Sequence, residues 1–353
     1  MSQIVDWSNL IRAARRARRG KRHRWNVAQF EYDREWELLR LRSELVDESY
    51  KPGLFRSFEI LEPKKRLISA APYRDRVVHH AICNVVEPKL DRGFIDDSYA
   101  CRRGKGTHAA VRKAKRFAAC YEYVLKADIQ QFFPTIDHDV LSTALNRKIK
   151  DRQLQNLFQK IIRHPFPGQR RSPYYCNDDL FSPLERTCGL PIGNQTSQFL
   201  ANVMLDPMDQ FIKRTMGRKA YVRYADDFVM FGNDRLALRQ DLKTIREFLT
   251  GYRLTLHPRK CTVFPTRCGL PYLGYQVFPT HVRLAAGNVH QMRRRLKTLQ
   301  QEYESGSITP AQIRDSIVAW WGHAQHASSW NLLQQLLNEH PFVRRSQQES
   351  EFS

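Results

Sequence analysis

The stretch YVRYADDFVMFG, residues 221–232, places Asp226 and Asp227 side by side between two apolar runs with the composition of β-strands. Two adjacent carboxylates are typical of a solvated hairpin turn or of a cation site. For this pair alone the turn is the commoner explanation, because hairpin turns far outnumber metal sites.

A third carboxylate, Asp128, ends the apolar run YVLKAD. An isolated carboxylate in a buried strand costs several kcal/mol or becomes protonated. If this strand lies beside the 221–232 hairpin, three carboxylates repel one another and require a divalent cation. Oxygen ligands favour Mg²⁺, and a pair of such ions supports phosphoryl displacement.

The net charge of the chain indicates which kind of partner such phosphoryl chemistry would act on. Its 353 residues contain 58 Lys and Arg against 36 Asp and Glu, a formal net charge of +22. Such an excess predicts a polyanionic partner, most commonly nucleic acid. A membrane surface is the competing partner, but no apolar run reaches the roughly 18 residues of a spanning helix. We therefore expect a soluble protein that performs nucleotidyl transfer or nuclease chemistry, with no membrane partner.

The seven cysteines are dispersed and never spaced as Cys-x-x-Cys, which favours neither a disulfide scaffold nor a zinc site. Dispersed cysteines of this kind are typical of a protein in the reducing cytoplasm. The N-terminal stretch IRAARRARRGKRHRW lacks the apolar core of a secretory signal. Its composition is typical of an organelle transit peptide and equally of a basic helix that touches nucleic acid.

The elements that must position these residues follow an α+β order, in two or three subdomains. The first fifty residues read as helical, with Trp36, Leu38, Leu39, Leu41 and Leu45 near a 3.6-residue period. A hairpin with a basic tip at Lys64, Lys65 and Arg66 follows, then a helix after Pro72 and another with Thr107 as N-cap.

Further along, the strand ending at Asp128 is followed by a break at Pro134 and a helix capped near Asp137. Residues 150–185 read as irregular, and a helix is predicted to open at Thr196 or Ser197. Its apolar face comprises Leu200, Ala201, Met204, Leu205, Met208 and Ile212. The stretch LPYLGYQVF predicts a strand pair, 285–340 is mostly helical, and the final SQQESEFS is predicted to be disordered.

These motifs resemble one family. YADDF resembles the Tyr-x-Asp-Asp box of reverse transcriptases, and KADIQQFFPTIDH their first aspartate motif. KKRLISAAPYRDRVVHHAI is similar to their fingers segment, LHPRKC to their lysine motif and LPYLGYQVFP to their primer grip. GLPIGNQTSQFLANVMLDPMDQFIK, DDSYACRRGKGTHAA and AWWGHAQHASSW resemble the reverse transcriptases of diversity-generating retroelements. Most other reverse transcriptases carry Pro-Gln-Gly where this chain has Pro191-Ile192-Gly193.

The resemblance, over residues 5–335, implies a right-hand polymerase fold with an antiparallel palm sheet, fingers and a helical thumb. It divides the chain into a basic helical N-terminal extension (1–50), fingers and palm (51–284), a helical thumb (285–345) and a disordered tail (346–353).

The resemblance also implies roles for individual residues. Asp128, Asp226 and Asp227 would bind two Mg²⁺ ions, for which Mn²⁺ could substitute, with the Ile129 carbonyl as a further ligand. Lys260 would protonate departing pyrophosphate. A solvent-exposed lysine without a catalytic role is an equally common explanation of a lysine at this position. Asp137 and Asp139 are better explained as helix-start residues.

In the nucleotide site, Lys65, Arg66 and Arg74 would hold the triphosphate of an incoming dNTP. Phe133 would exclude a ribose 2′-hydroxyl, and Ile192 and Gly193 would lie against the new base pair. Residues that would grip template and primer come from three segments. They are Arg15, Arg16, Arg18, Arg19 and Arg22 in the extension, Tyr272, Leu273 and Gly274 in the primer grip, and Arg293, Arg294 and Arg295 in the thumb.

The implied activity is RNA-directed DNA synthesis that copies a template-repeat RNA into cDNA, with errors at adenines, to diversify a target gene by mutagenic retrohoming. The implied partners are the template RNA, the primer–template duplex, dNTPs and a basic accessory variability protein that forms an oligomer. The protein would act in the cytoplasm and be encoded by a bacterium, an archaeon or a phage.

Three alternatives stay open. A group II intron-like reverse transcriptase of ordinary fidelity is the nearest, although the chain stops shortly after the expected thumb and leaves no room for a maturase domain. A non-catalytic RNA-binding scaffold would not need its three aspartates. A nuclease would consume nucleic acid without dNTPs. Trp320 and Trp321 and the histidines His79, His80, His323 and His326 are read as structural.

Overall fold

The computed structural model describes residues 1–61, 65–169, 174–175 and 178–343. Lys64, which shares the predicted basic tip, and the predicted disordered tail 346–353 lie outside these ranges. The helices, in chain order, are α1 (Trp7–Ala17), α2 (Trp25–Tyr32), α3 (Arg34–Val46), α4 (Tyr73–Asp91), α5 (Thr107–Cys120), α6 (Phe132–Thr135), α7 (His138–Lys148), α8 (Arg152–Ile162), α9 (Ser182–Glu185), α10 (Gln195–Gln210), α11 (Arg235–Thr250), α12 (Ala286–Glu304), α13 (Pro310–Ala324) and α14 (Trp330–Glu339).

The strands are β1 (Arg56–Ile60), β2 (Arg66–Ala70), β3 (Tyr123–Asp128), β4 (Tyr221–Tyr224), β5 (Asp227–Gly232), β6 (Thr262–Pro265), β7 (Leu270–Tyr272), β8 (Tyr275–Val277) and β9 (Val282–Leu284). They form a β1-β2 hairpin, a sheet of order β4-β5-β3-β6 and a sheet of order β7-β8-β9. The β1-β2, β3-β6, β7-β8 and β8-β9 pairs are antiparallel. The predicted α+β class and the predicted hairpins are confirmed.

The chain forms two compact units. Unit 1 comprises Met1–Gly104, Ala127–Phe228 and Gln240–Cys261, and unit 2 comprises Lys105–Lys126, Val229–Arg239 and Thr262–Ser353. The predicted N-terminal extension lies in unit 1 and the described part of the predicted thumb in unit 2. The predicted fingers and palm, 51–284, contribute to both.

The core of unit 1 contains helix α10, whose predicted apolar face is confirmed: Leu200, Ala201, Met204, Leu205 and Met208 are buried, and so is Ile212 in the π-helical turn Phe211–Thr215 that follows the helix. The helix begins at Gln195, one or two residues before the predicted start, because Asn194 has the extended backbone of an N-cap residue. Helix α1 packs on α4 through small residues, and the buried Asn9 amide donates to the Ala81 carbonyl oxygen at 3.0 Å.

In unit 2, helices α12 to α14 enclose a small core of Met292, Leu296 and Leu336, against which Trp320 packs. The structural interpretation of Trp320 is confirmed. None of the helices found in the described residues combines the length and the apolar character that crossing a bilayer requires.

Two local predictions are wrong. Residues 150–185 include helix α8, whose N-cap Asp151 accepts from the Leu154 N–H. Thr107 is the first helical residue, and Gly106 is the N-cap. The predicted helical period is confirmed in α3, where Leu38, Leu41 and Leu45 are buried and Trp36 and Leu39 are exposed. The predicted strand pair of residues 270–277 is confirmed as β7-β8, and a third strand, β9, pairs with β8.

The predicted cap at Asp137 is confirmed. Its carboxylate accepts from the backbone N–H groups of Asp139 and Val140 at 2.9 and 3.0 Å. It also pairs with Arg253 at 2.7 Å. These contacts occupy Asp137 at the start of α7.

Candidate active site

Asp128 ends strand β3, which lies between β5 and β6 in the sheet. Its side chain is only 7% exposed, and its carboxylate accepts a hydrogen bond from the ammonium group of Lys260. The His257 N–H donates to the Asp128 carbonyl oxygen at 2.8 Å, which anchors the segment that carries Lys260. The strand end and the lysine segment are therefore tied by both backbone and side chain.

Asp226 occupies the turn of the β4-β5 hairpin. The preceding Ala225 has φ 54°, a left-handed conformation that is uncommon for a residue with a Cβ. The Ile129 N–H donates to the Asp226 carbonyl oxygen at 3.3 Å, so the turn lies directly beside the residue after Asp128. The two strands thus bring carboxylates together that are 98 positions apart in the sequence.

The carboxylates of Asp128, Asp226 and Asp227 influence one another and the cations beside them. Burial raises the pKa of Asp226 and repulsion from Asp128 raises it further, while the cations Lys260 and Arg66 act in the opposite direction. The hydrogen bond to Asp128 raises the pKa of Lys260, and the charges of Asp227 and Asp226 add to that effect. All three carboxylates therefore act on a single ammonium group.

A buried arginine holds the hairpin in position. Arg223 in β4 is 1% exposed, and its guanidinium donates to both carboxylate oxygens of Asp209 at 2.8 and 2.7 Å. It also donates to the Ala225 carbonyl oxygen at 3.0 Å. Tyr221 donates its hydroxyl to Asp209 at 2.7 Å. The sequence interpretation missed this network, although an arginine inside the apolar run YVRY was a signal of it.

The donor set fits a hard divalent cation. Asp128, Asp226 and Asp227 offer carboxylate oxygens. Burial and, to a smaller extent, the charge of Asp128 raise the pKa of Asp226, and a bound cation would favour its ionised form. Within the described stretches of the chain, no three His, Cys, Asp or Glu side chains form a preformed metal site. Mg²⁺ accepts one or two protein carboxylates and completes its shell with water and substrate phosphates.

The Pro191-Ile192-Gly193 segment is fastened along strand β2. The Ser69 N–H donates to the Ile192 carbonyl oxygen at 3.0 Å, and the Asn194 side chain exchanges hydrogen bonds with Ala71 and Ser69. Gly193 has φ 115°, and a Cβ there would lie 2.8 Å from the Ile68 side chain. Only glycine fits this approach.

The same segment reaches the helix that carries Phe133. The Leu190 N–H donates to the Phe133 carbonyl oxygen at 2.8 Å, and both Phe133 and Ile192 are half-buried. Backbone hydrogen bonds therefore connect the predicted ribose gate, the predicted base-pair contact and the β1-β2 hairpin.

The predicted triphosphate ligands differ in their surroundings. Arg66 is exposed and near enough to Asp226 to lower its pKa. Lys65 pairs with Glu59 at 3.0 Å. Arg74 pairs with Glu44 at 2.7 Å and with Glu37 at 3.7 Å on α3. The structure thus places Arg66 with the aspartates and Arg74 with two glutamates.

The predicted nucleic-acid ligands of unit 1 form an exposed basic surface on and after α1. Arg15, Arg19 and Arg22 are exposed, while Arg18 pairs with Glu31 at 2.8 Å and Arg16 donates to the Asn84 amide oxygen.

In unit 2, Tyr272 is buried, Leu273 half-buried and Gly274 exposed in the β7-β8 hairpin. On α12, Arg294 is exposed, Arg293 pairs with Glu339 at 3.3 Å, and the Arg295 guanidinium donates to the Ser316 hydroxyl at 3.4 Å.

A groove that the sequence interpretation did not identify lies in unit 1. It has a volume of 910 Å³ and is lined by side chains that include Lys21, Arg24, Trp25, Arg56 and Phe58. Trp25 is 76% exposed and Phe58 49% exposed. Exposed rings interleaved with cations are typical of surfaces that bind single-stranded nucleic acid. The run KRHRW combined both residue types and was the available signal.

Residues 51–277 match the family model described as reverse transcriptase (RNA-dependent DNA polymerase). Protein YkfC of Escherichia coli K12 is 27% identical over 284 residues, which are 68% of this chain and 71% of that protein. The group II intron-encoded protein LtrA of Lactococcus lactis subsp. cremoris is 24% identical over 219 residues, 60% of this chain and 34% of LtrA.

Among solved structures, an apo telomerase from Candida tropicalis truncated from its C-terminal domain matches with a TM-score of 0.47 and 10% identity. The match covers 69% of this chain and 59% of that one. The chain thus spans only about a third of LtrA and less than two thirds of the telomerase chain.

Proposed function

Because this chain belongs to the reverse transcriptase (RNA-dependent DNA polymerase) family, whose fold is the right-hand polymerase fold, we propose that it copies an RNA template into cDNA. The observation that carries the proposal is the cluster of Asp128, Asp226 and Lys260, in which a buried carboxylate binds an ammonium group beside a second carboxylate of raised pKa. Such a cluster suits the handling of a charged phosphate group.

We assign the cation site to Asp128, Asp226 and Asp227, with the Ile129 carbonyl oxygen as a further ligand. When bound there, two Mg²⁺ ions would neutralise the triphosphate and lower the barrier to displacement at its α-phosphorus. The side chains around them hold the substrate. Arg66 and Lys65 bind the triphosphate oxygens, and Phe133 excludes a ribose 2′-hydroxyl.

Lys260 has two tasks in this proposal. Its ammonium group neutralises Asp128 while the site is empty of substrate, and it can donate a proton to the departing pyrophosphate. Its raised pKa keeps it protonated at neutral pH, which both tasks require.

We further propose that the enzyme is of the diversity-generating type and misincorporates opposite template adenines. Support comes from the segment 191–193, which stands where most reverse transcriptases have Pro-Gln-Gly. Isoleucine at 192 offers shape but no hydrogen bond to a base pair, and the loss of polar contacts relaxes discrimination.

In this proposal the partners are a template-repeat RNA with its primer, dNTPs, and a basic accessory variability protein that forms an oligomer. The cationic surface of α1 and the groove at Trp25 support RNA as a ligand. The reaction would take place in the cytoplasm of a bacterium or archaeon or during phage infection.

A second candidate is a group II intron-like reverse transcriptase of ordinary fidelity. It is favoured by the similarity to LtrA, whose name describes a group II intron-encoded protein. The two candidates share the aspartate site and differ in the error spectrum of the cDNA.

The test is primer extension on an RNA template that contains all four bases, with Mg²⁺ and dNTPs, followed by sequencing of the cDNA. The wild type is compared with Ile192→Gln, and Asp226→Asn serves as the inactive control. Errors opposite adenine that fall about tenfold or more in Ile192→Gln would support the diversity-generating type. Evenly accurate cDNA from the wild type would favour the intron-like candidate.

If neither the wild type nor Ile192→Gln makes cDNA even with the native RNA and accessory protein, the polymerase proposal is wrong and the scaffold alternative gains support. Degradation of the template without a dNTP requirement would indicate a nuclease. The outcomes are read from the same reactions, so the candidates are separated in one experiment.

A further inference from the structure

A second cavity in unit 1 adjoins the groove at Trp25 and shares Lys21, Arg76 and Gly193 with it. Its volume is 360 Å³, and its lining is formed by α4, the start of α10 and the segment after α1. None of the predicted metal or triphosphate ligands lines it, and Gly193 is its one residue from the predicted nucleotide site. The cavity therefore needs its own explanation.

The cavity contains two cations without anionic partners. Across the described residues, Lys21 and Arg76 form no ion pair, and the Arg76 guanidinium donates a hydrogen bond to the Ala71 carbonyl oxygen at 2.9 Å. Burial lowers the pKa of both groups, and repulsion between them and from Arg24 lowers it further for Lys21. Cations held together in this way are stabilised by a bound anion.

Neutral hydrogen-bond donors complete the lining. His79 is 4% exposed, its Nδ1 has no hydrogen-bond partner within the described chain, and burial lowers its pKa to about 3, so the ring is neutral. A neutral imidazole can donate one N–H to an oxygen ligand. An unpartnered buried nitrogen of this kind costs about 1–3 kcal/mol unless a ligand satisfies it.

The N-terminus of α10 lies at the same cavity through Asn194 and Gln195. The Asn194 side chain does not cap the helix, because it is engaged with Ala71 and Ser69. The first N–H groups of a 16-residue helix and the positive end of its dipole favour an anion.

The lining also contains one carboxylate, Glu87, which does not neutralise the cations. Burial raises the pKa of Glu87 and the charge of Asp91 raises it further, and among the described residues Glu87 forms no ion pair with Lys21 or Arg76. The cation pair is thus available to a ligand.

We propose that this cavity binds a phosphate group through Lys21, Arg76, His79 and the N-terminus of α10, at a site separate from the triphosphate ligands. Because the cavity continues into the groove with Trp25 and Phe58, the phosphate of a single-stranded RNA is the favoured source. A free nucleotide or inorganic phosphate offers the same chemistry, and the experiment distinguishes them. The site does not require polymerase activity.

The test measures binding of an eight-nucleotide single-stranded RNA, AMP and inorganic phosphate to the full chain in EDTA without dNTPs. Lys21→Gln and Arg76→Gln are compared with Lys89→Gln, which removes a charge from α4 at a residue that does not line the cavity. We expect each cavity variant to weaken RNA binding about tenfold. The slope of the logarithm of the binding constant against the logarithm of the salt concentration should fall in magnitude by about one, whereas Lys89→Gln should have little effect on either quantity.

Rescue by Arg76→Lys and an unchanged melting temperature separate loss of the site from misfolding. If AMP or phosphate binds and the cavity variants lose it, the ligand is a free phosphate compound and the site stands. If none of the three ligands distinguishes the cavity variants from Lys89→Gln, the proposal is overturned.

The Asp226→Asn chain keeps the two proposals apart. It should bind RNA as the wild type does, because the cavity and the aspartates share no residue. RNA binding by an inactive wild type would leave the site standing while the polymerase proposal failed.

Discussion

Two carboxylate–cation pairs of unit 1 use the same chemistry to opposite effect. In the pair of Asp209 and Arg223 both side chains are at most 1% exposed, the contact is bidentate, and Tyr221 donates a further hydrogen bond. Burial acts to lower the pKa of Arg223, but the Asp209 carboxylate more than offsets it and the pKa is raised.

In the other pair the Lys260 side chain is 47% exposed, while Asp128 is buried and repels the neighbouring Asp226 carboxylate. The first pair is satisfied on every side and holds the hairpin. The second keeps one side open and carries negative charge that its lysine does not balance. The difference teaches that exposure and incomplete charge compensation, rather than residue type, separate a reactive ion pair from a structural one.

The largest effect is expected at the open pair. Asp128→Asn should reduce cDNA synthesis by about 10³-fold, because it removes charge stabilisation that the reaction needs. Its melting temperature should stay close to that of the wild type, because the half-exposed Lys260 can be solvated by water. Primer extension and thermal unfolding measure the two quantities. A variant that is inactive only because it is unfolded would remove the contrast between the pairs.

The structural pair should respond in the opposite way. Arg223→Leu leaves the Asp209 charge buried without a partner and should reduce the free energy of unfolding by about 3–5 kcal/mol. Adding Asp209→Asn removes that charge, keeps an acceptor for Tyr221 and should recover much of the loss. Urea unfolding of the single and double variants measures this. Equal stability of the two would show that the unpaired charge is not the cause.

A smaller effect is expected from pH in the metal-free protein. Because burial raises the pKa of Asp226, the folded chain binds this proton more tightly than the unfolded chain, and the stabilisation is lost as pH rises through the folded pKa. Asp226→Asn should therefore gain stability relative to the wild type as pH rises above about 4, the ordinary pKa of a carboxyl group.

Unfolding in EDTA at several pH values measures that gain, with Asp315→Asn, 74% exposed on α13, as the control. If the wild type instead becomes more stable relative to Asp226→Asn as pH rises, the nearby cations outweigh burial in their effect on the Asp226 pKa.

Local patterns predicted the elements that depend on neighbours in the chain. The hairpins, the apolar face of α10 and the cap at Asp137 follow from residue order and are confirmed. Helix α8 was missed because a Pro- and Arg-rich flank hid the buried set Leu154, Leu157, Phe158 and Ile161. Trp36 and Leu39 fit the same helical period as Leu38, so periodicity alone did not show which of them face the core.

By itself the sequence determined the motifs, the net charge of +22 and the order of helices and strands, because these depend on residue identity and spacing. Tertiary structure alone decided that Lys260 binds Asp128, that Arg223 holds Asp209 and that Arg74 pairs with Glu44. It also brought Lys21 and Arg76 to one cavity. The physical reason is that ion pairs and cavities join residues 14 to 132 positions apart, and their energies depend on burial that no local pattern encodes.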